Sequence, residues 1–234
     1  MPQPSVVEYA VDRLAKLGIT DCFGLPGDYA FPINDAIASN KSIEWRGCSN
    51  ELNASYAADG YARIRGASML NTTYAVGELS ALCGVMGAKA ERSTIFHLVG
   101  MSSMRHQQLR KHVHHTLGDG VFQNFINISA QSACVYAILT PDNCVYEMER
   151  VIAAALANRQ PAYVIVAEDL HDADFLRTHC VGFDAATMPA GYEAEESWED
   201  YLLGRRDGTP KTLAEFCSPT SPRRRFRTTL IPPK

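Results

Sequence analysis

The sequence lacks any apolar run long enough to cross a membrane, and charged residues are spread along the whole chain. Of its 234 residues, 46% are hydrophobic and 21% are charged, which is typical of globular proteins and excludes a disordered tail, a collagen or a coiled coil. A membrane span needs about 18 consecutive apolar residues, and the charged N-terminal segment does not resemble a signal peptide. We therefore expect a cytoplasmic protein with no membrane partner.

Cysteine pairs at metal-binding spacing are also missing. The number of cysteines is odd, they are widely scattered, and none forms a C-x-x-C pair; they are Cys22, Cys48, Cys83, Cys134, Cys144, Cys180 and Cys217. This pattern excludes both a zinc ribbon and a secreted disulfide framework. No H-E-x-x-H spacing supports zinc either. We expect no metal site in this chain.

Positive charge is scarce over most of the chain. The formal net charge is −4, but residues 205–234 hold eight Lys and Arg against two acidic residues, so residues 1–204 carry 14 basic and 24 acidic side chains. An acidic body argues against a nucleic-acid partner, because a phosphate backbone must be neutralised by cations. The arginine run at 223–227 is typical of a solvated tail, and the alternative is an anion-binding arm.

Strand-like and helix-like segments alternate over about the first 175 residues. The predicted strands are 21–24, 42–46, 68–73, 94–99, 133–139 and 162–167. Helix-like segments precede the first strand and lie between successive strands. Such alternation predicts an α/β fold, a mostly parallel six-stranded sheet with helices on both faces. We expect one domain over residues 1–178. The pattern stops near residue 178, so residues 179–234 are predicted to be a weakly structured, irregular extension.

Four loops at the carboxyl ends of predicted strands carry the candidate chemistry, because ligands of parallel α/β sheets gather there. They contain Gly27 and Asp28, Glu51, Gly77 and Glu78, and the pair His114 and His115. Each has an ordinary alternative: Asp28 as a helix cap, Glu51 as a helix-start glutamate, Gly77 and Glu78 as a capping turn, and the histidines as surface residues. Adjacent histidines in a loop are expected to point in different directions and so rarely to share a metal ion.

In this order the motifs resemble a known family. F-G-L-P-G-D-Y, S-N-E-L-N-A-S-Y-A-A-D-G-Y-A-R, V-G-E-L-S-A-L, H-H-T-L-G-D-G and P-A-Y-V-I-V-A-E-D are similar to the N-terminal, pyrimidine-binding domain of thiamine-diphosphate-dependent 2-oxo acid decarboxylases, the pyruvate and indolepyruvate decarboxylase group. The resemblance covers about residues 6–174. It implies non-oxidative decarboxylation of a 2-oxo acid substrate to an aldehyde and CO2.

The resemblance also implies residue roles. Glu51 would hydrogen-bond N1′ of the cofactor's aminopyrimidine, which keeps that nitrogen protonated so that the 4′-imino group can act as a base. Asp28, His114 and His115 would line the reaction face and manage protons. Gly27, Gly77 and Glu78 would contribute, with Glu51, to cofactor binding. Ala75 departs from the family pattern, because a glycine is usual there, and so do Ser102 and Ser103.

A larger departure concerns length. The family carries Mg²⁺ and the diphosphate in a separate C-terminal domain whose G-D-G motif is followed by two asparagines. Here the G-D-G of residues 118–120 belongs to the His-His loop and has no such pair after it. We expect the chain to supply the pyrimidine half of the site and to be inactive alone, completed by a homo-oligomer or by a chain carrying the diphosphate-binding domain. Three interpretations stay open: a decarboxylase fragment, one subunit of a split enzyme, or a non-catalytic assembly module.

Overall fold

The computed structural model describes residues 4–170, which contain seven α-helices and six β-strands. The helices are α1 (Val6–Ala15), α2 (Phe31–Ser39), α3 (Glu51–Arg65), α4 (Val76–Ala90), α5 (Met104–Gln108), α6 (Gln123–Ser129) and α7 (Cys144–Asn158). The strands are β1 (Asp21–Gly24), β2 (Glu44–Gly47), β3 (Ala67–Thr73), β4 (Thr94–Met101), β5 (Val135–Leu139) and β6 (Ala162–Ala167). The predicted extension, residues 179–234, lies outside the described residues.

All six strands are parallel and form one sheet in the order β2-β1-β3-β4-β6-β5. The predicted α/β class is therefore confirmed. The chain turns to opposite sides after β1, since β2 and β3 both pair with it. In such sheets the loops diverge at this point and leave a crevice at the carboxyl ends of the strands. The site is expected between β1 and β3.

Helices cover both faces, as predicted. α1, α2 and α7 pack on one face over the largest apolar cluster, to which β1, β3, β4, β5 and β6 contribute alternate residues such as Cys22, Met69 and Phe96. α3, α4 and α6 cover the other face, where Leu70 and Ile95 are fully buried. Strands buried on both faces are apolar almost throughout, which is why β4 and β6 were evident from sequence.

Side-chain caps fix where two helices begin. Ser5 accepts a hydrogen bond from the Glu8 N–H at 3.2 Å while the Glu8 carboxylate accepts one from the Ser5 N–H at 2.7 Å. Asn50 caps α3 in a similar way, since its Oδ1 accepts the Asn53 N–H at 2.8 Å. Each cap satisfies donors that the first helical turn leaves free. As a result α3 starts at Glu51, which the sequence also predicted.

One ion pair is buried between the first and the last helix. Arg13 of α1 and Glu149 of α7 are 1% and 0% exposed, and they are joined by an Nε–Oε1 contact and by Nη2–Oε2 at 2.9 Å. Removing one partner of such a pair leaves a buried charge uncompensated. The sequence carried no sign of this burial.

The structure differs from the sequence expectations mainly at element ends. β4 runs to Met101, two residues beyond the prediction, and α4 begins at Val76 rather than at Glu78. α5, directly after β4, was not predicted. Among the described residues, no helix combines the length and apolar character that a membrane crossing requires.

Candidate active site

Two glycines bring the loops after β1 and β3 into contact. A Cβ on Gly27 would lie 2.5 Å from Thr73 Cβ, and one on Gly77 would lie 3.0 Å from Thr73 Cγ2. The first distance is too short for any side chain and the second is a tight contact, so each backbone approaches Thr73 closely. Thr73 ends β3 and therefore joins the two loops at the sheet's point of divergence. Gly27, Thr73 and Gly77 therefore lie together at the carboxyl end of β3, where the site is expected.

Glu51 lies beside the second of these glycines. It is the first residue of α3, it is half-buried, and a Cβ on Gly77 would lie 3.2 Å from its Oε1. The helix N-terminus favours a negative charge at this position. The carboxylate therefore lies beside Gly77, and a side chain at position 77 would make a tight contact with it.

Glu78 occupies a different environment from Glu51. Its side chain is fully buried; Oε1 accepts the Ala75 N–H at 2.8 Å and Oε2 accepts the Tyr163 hydroxyl at 2.5 Å. Burial raises the pKa of Glu78. Both oxygens are thus engaged inside the protein. In the structure Glu78 holds the turn between β3 and α4, and it does not share the exposed cluster described next.

Ala75 explains one departure from the family pattern. Its φ is 55° and its ψ is −88°, a left-handed conformation that glycine adopts without strain. The Glu78 carboxylate, bonded to the Ala75 N–H, stabilises this turn. Alanine therefore occupies a backbone position suited to glycine, and the fixed turn directs Gly77 toward Glu51.

A carboxylate and two imidazoles meet at the same edge. Asp28 Oδ2 lies 2.5 Å from His114 Nε2, and donor atoms of Asp28, His114 and His115 all lie within 4.8 Å of one another. Tyr29 orients His114: the rings stack at 4.8 Å, and the Tyr29 hydroxyl lies 3.3 Å from His114 Nδ1 and 3.2 Å from its carbonyl oxygen. We call Asp28, His114 and His115 the Asp-His-His cluster.

The expectation that the adjacent histidines point in different directions was wrong. Their ring centroids are 4.6 Å apart at 71°, and both rings face Asp28. His115 has a φ of 57°. This left-handed backbone turns its side chain toward that of His114, which an extended loop would not do. Sequence gives no direct sign of a positive φ at a histidine.

The neighbouring G-D-G triplet has a local role. Gly118 and Gly120 have φ of 71° and 68°. Asp119 Oδ1 accepts the Val121 N–H at 2.9 Å, and its Oδ2 accepts the Asn124 amide at 3.3 Å. These contacts shape the end of the loop that carries the histidines.

Three further residues shape the site and were not identified as candidates from the sequence. Tyr29 orients His114, and Thr73 contacts both Gly27 and Gly77. Gly100 of β4 allows the Asp28–Ala30 turn to lie against the strand, since a Cβ on Gly100 would be 2.1 Å from Tyr29 O. Tyr29 belongs to the F-G-L-P-G-D-Y motif, which could have indicated it. Thr73 and Gly100 are paired across β3 and β4, a relation that sequence spacing does not give.

Comparison with known proteins identifies the family. Residues 4–129 match the family described as thiamine pyrophosphate enzyme, N-terminal TPP binding domain. The chain is 43% identical over 166 residues to an alpha-keto-acid decarboxylase of Mycobacterium leprae, covering 71% of this chain and 29% of that protein. It is 41% identical over 169 residues to the Mycobacterium tuberculosis protein of the same name, covering 72% and 30%.

A solved structure shows the same fold. The thiamine diphosphate-dependent 4-hydroxybenzoylformate decarboxylase of Rhodococcus jostii RHA1 superposes with a TM-score of 0.62 at 19% identity, covering 71% of this chain and 31% of that one. The chain therefore spans about three tenths of the length of these relatives. The family match covers more than half of the chain and includes every candidate site residue; this chain belongs to the thiamine pyrophosphate enzymes, through their N-terminal TPP binding domain.

Proposed function

We propose that this chain supplies the pyrimidine-binding half of a thiamine-diphosphate-dependent decarboxylase active site. The reaction would be the non-oxidative conversion of a 2-oxo acid, pyruvate or an aromatic analogue such as indolepyruvate, to an aldehyde and CO2. The observation that supports the proposal is the position of Glu51, a half-buried carboxylate at a helix N-terminus beside Gly77. The alpha-keto-acid decarboxylase relatives support the reaction class.

The candidate residues would divide the binding of an aminopyrimidine ring between them. Glu51 would offer a carboxyl group to a ring nitrogen, and Gly27 and Gly77 would let the two loops pack closely against Thr73 beside it. Glu78 would act indirectly, by holding the turn that sets the position of Gly77. A small-molecule site needs a few precisely placed polar groups to orient its ligand, and Glu51 would be one of them.

The Asp-His-His cluster would handle protons during the reaction. When bound, the cofactor supplies the electron sink that decarboxylation needs. Asp28 and His114 share a hydrogen bond at 2.5 Å, so a proton can pass between them and be delivered to the carbon that loses CO2. Histidine suits this role because it exchanges protons near neutral pH. A positioned acid or base of this kind contributes about 10²–10⁴-fold to the rate.

A second protein surface would complete the site. Since the chain spans about three tenths of its relatives' length, we assign the diphosphate and its Mg²⁺ to a domain outside these residues. Leu52 and Tyr56 on α3 and Val76 and Met86 on α4 are 38–54% exposed. Exposed apolar residues on one helix pair are typical of a partner-facing surface. They favour a homo-oligomer or a chain that carries the other domain.

Binding of thiamine and of thiamine diphosphate tests the proposal without an activity assay. Thiamine and thiamine diphosphate are titrated into the full chain, with and without Mg²⁺, by ligand-observed NMR. Because only the pyrimidine half is assigned to this chain, both ligands are expected to bind with similar affinity and without a Mg²⁺ requirement. If neither thiamine nor thiamine diphosphate binds, the assignment is refuted.

Glu51→Gln tests the residue that carries the proposal. The variant is expected to bind thiamine more weakly and, in an assembly that releases CO2 from a 2-oxo acid, to turn over about 10²–10⁴-fold more slowly. Glu91→Gln is the matched control, because Glu91 is an exposed glutamate at the end of α4, with 64% of its side chain exposed. Equal behaviour of the two variants contradicts the role of Glu51. Co-purification with a full-length decarboxylase and no gain of activity would instead favour an assembly module.

A further inference from the structure

The Asp-His-His cluster has the donor set of a transition-metal site. It presents one carboxylate and two imidazoles whose donor atoms lie within 4.8 Å of one another. Within residues 4–170, no other group of three such side chains has this spacing. Imidazole and carboxylate ligands together suit Zn²⁺ and its neighbours in the transition series, whereas Mg²⁺ prefers oxygen ligands alone.

A tetrahedral ion would need a small rearrangement of the three donor atoms. Zn–N and Zn–O bonds of about 2.0–2.2 Å place neighbouring ligand atoms about 3.3 Å apart. Asp28 Oδ2 and His114 Nε2 are now 2.5 Å apart, so they would separate slightly as the third ligand moves inward. Side-chain rotation alone can achieve this, because 43% of the Asp28 side chain and 56% of the His114 side chain are exposed. The same exposure gives an ion a path from solvent.

Two features prepare the imidazoles for an ion. Tyr29 stacks on His114 and places its hydroxyl 3.3 Å from Nδ1, which leaves Nε2 toward Asp28. Metal-binding histidines are commonly held in this way through their other nitrogen. His115 Nδ1 is buried and has no hydrogen-bond partner among the described residues. A buried nitrogen without a partner is unfavourable and can be satisfied by ligation.

We propose that the Asp-His-His cluster binds one Zn²⁺ ion, with Asp28, His114 and His115 as ligands and a fourth position open to water. On binding, the proton shared by Asp28 and His114 is released to solvent, because both donor atoms must be free of protons to ligate. Zinc would also inhibit the reaction, because it would occupy the atoms assigned to proton transfer. This consequence rests on the proposed function.

Direct metal titration of the full, metal-free chain tests the site. ZnCl2 is added by isothermal titration calorimetry to the wild type and to His114→Gln, His115→Gln and His112→Gln, the last being an exposed histidine of the same loop. The wild type and His112→Gln are expected to bind one ion with the same affinity. Loss of a ligand is expected to weaken that binding at least 10–100-fold, as loss of supporting contacts does at other metal sites.

A second variant and a second metal strengthen the test. Asp28→Asn keeps the shape of the side chain and removes its charge, and it is expected to weaken zinc binding to a similar extent. Mg²⁺ is expected not to compete. Unchanged affinity in His114→Gln or His115→Gln overturns the proposal, as does an equal loss in His112→Gln. Zinc binding that depends on these ligands, together with full activity of Glu51→Gln, would uphold the metal site while refuting the proposed function.

Discussion

Gly100→Ala is expected to destabilise the protein strongly, because the added methyl group meets backbone and not side chains. Its Cβ would lie 2.1 Å from Tyr29 O, 2.5 Å from Tyr29 C and 2.4 Å from Ala30 Cα. No rotamer change can relieve these overlaps, so either β4 or the turn that carries Asp28 must move. Overpacking a well-filled site typically costs 1–3 kcal/mol, and three backbone overlaps place this variant at about 3 kcal/mol or more.

Gly87→Ala is the matched control for the same added methyl group. Gly87 lies inside α4, and a Cβ there would have no atom within 4 Å. Alanine is favoured over glycine in a helix by about 0.5–1 kcal/mol, so this variant is expected to be slightly more stable than the wild type. The two variants thus shift stability in opposite directions for reasons that the structure separates.

Urea denaturation followed by circular dichroism measures both effects. If the slope with denaturant is unchanged, the shift in midpoint gives the change in the free energy of unfolding. A Gly100→Ala variant within about 0.5 kcal/mol of the wild type would refute the close approach of the Asp28–Ala30 turn to β4. A similar loss in Gly87→Ala would show that any added methyl group destabilises the chain, and the reasoning would fail.

Arg13→Met is expected to lower the free energy of unfolding by about 3–5 kcal/mol, measured by heat or urea, because Glu149 is left charged and buried. The double variant Arg13→Met with Glu149→Leu is expected to regain most of the loss. Equal stability of the single and double variants would contradict this. Burial lowers the pKa of His97 from 6.5 to about 3. Between these pH values the unfolded chain binds a proton that the folded chain does not. The free energy of unfolding therefore falls as the pH falls, by up to about 1.4 kcal/mol per pH unit. His97→Gln should flatten this dependence between pH 6.5 and 5, and an unchanged slope in urea titrations would refute the assignment.

The elements were predictable from sequence where local pattern decides the outcome. β6 was predicted with its observed bounds, Ala162–Ala167, because it is apolar throughout and follows a proline. α3 was predicted from Glu51 to Arg65 because the segment is rich in alanine. The parallel sheet followed from the alternation of such elements.

Contacts between distant loops were not predictable in the same way. The approach of Gly27 and Gly77 to Thr73 depends on strand order, and the facing rings of His114 and His115 depend on one backbone angle. The motifs indicated where the candidate site lies along the chain, but they could not give distances within it. Glu149 shows the same limit, because its partner Arg13 is 136 positions away.

That separation bears on how the protein is made. Ribosomes add about 5–20 residues per second. Roughly 7–27 s therefore pass between the synthesis of Arg13 and that of Glu149, 136 positions later. Contacts this far apart in sequence also close slowly in a complete chain. During that interval the apolar face of α1, including Val7, Val11 and Leu14, has no α7 to cover it. The nascent chain is therefore expected to expose an apolar surface for seconds before α7 can cover it.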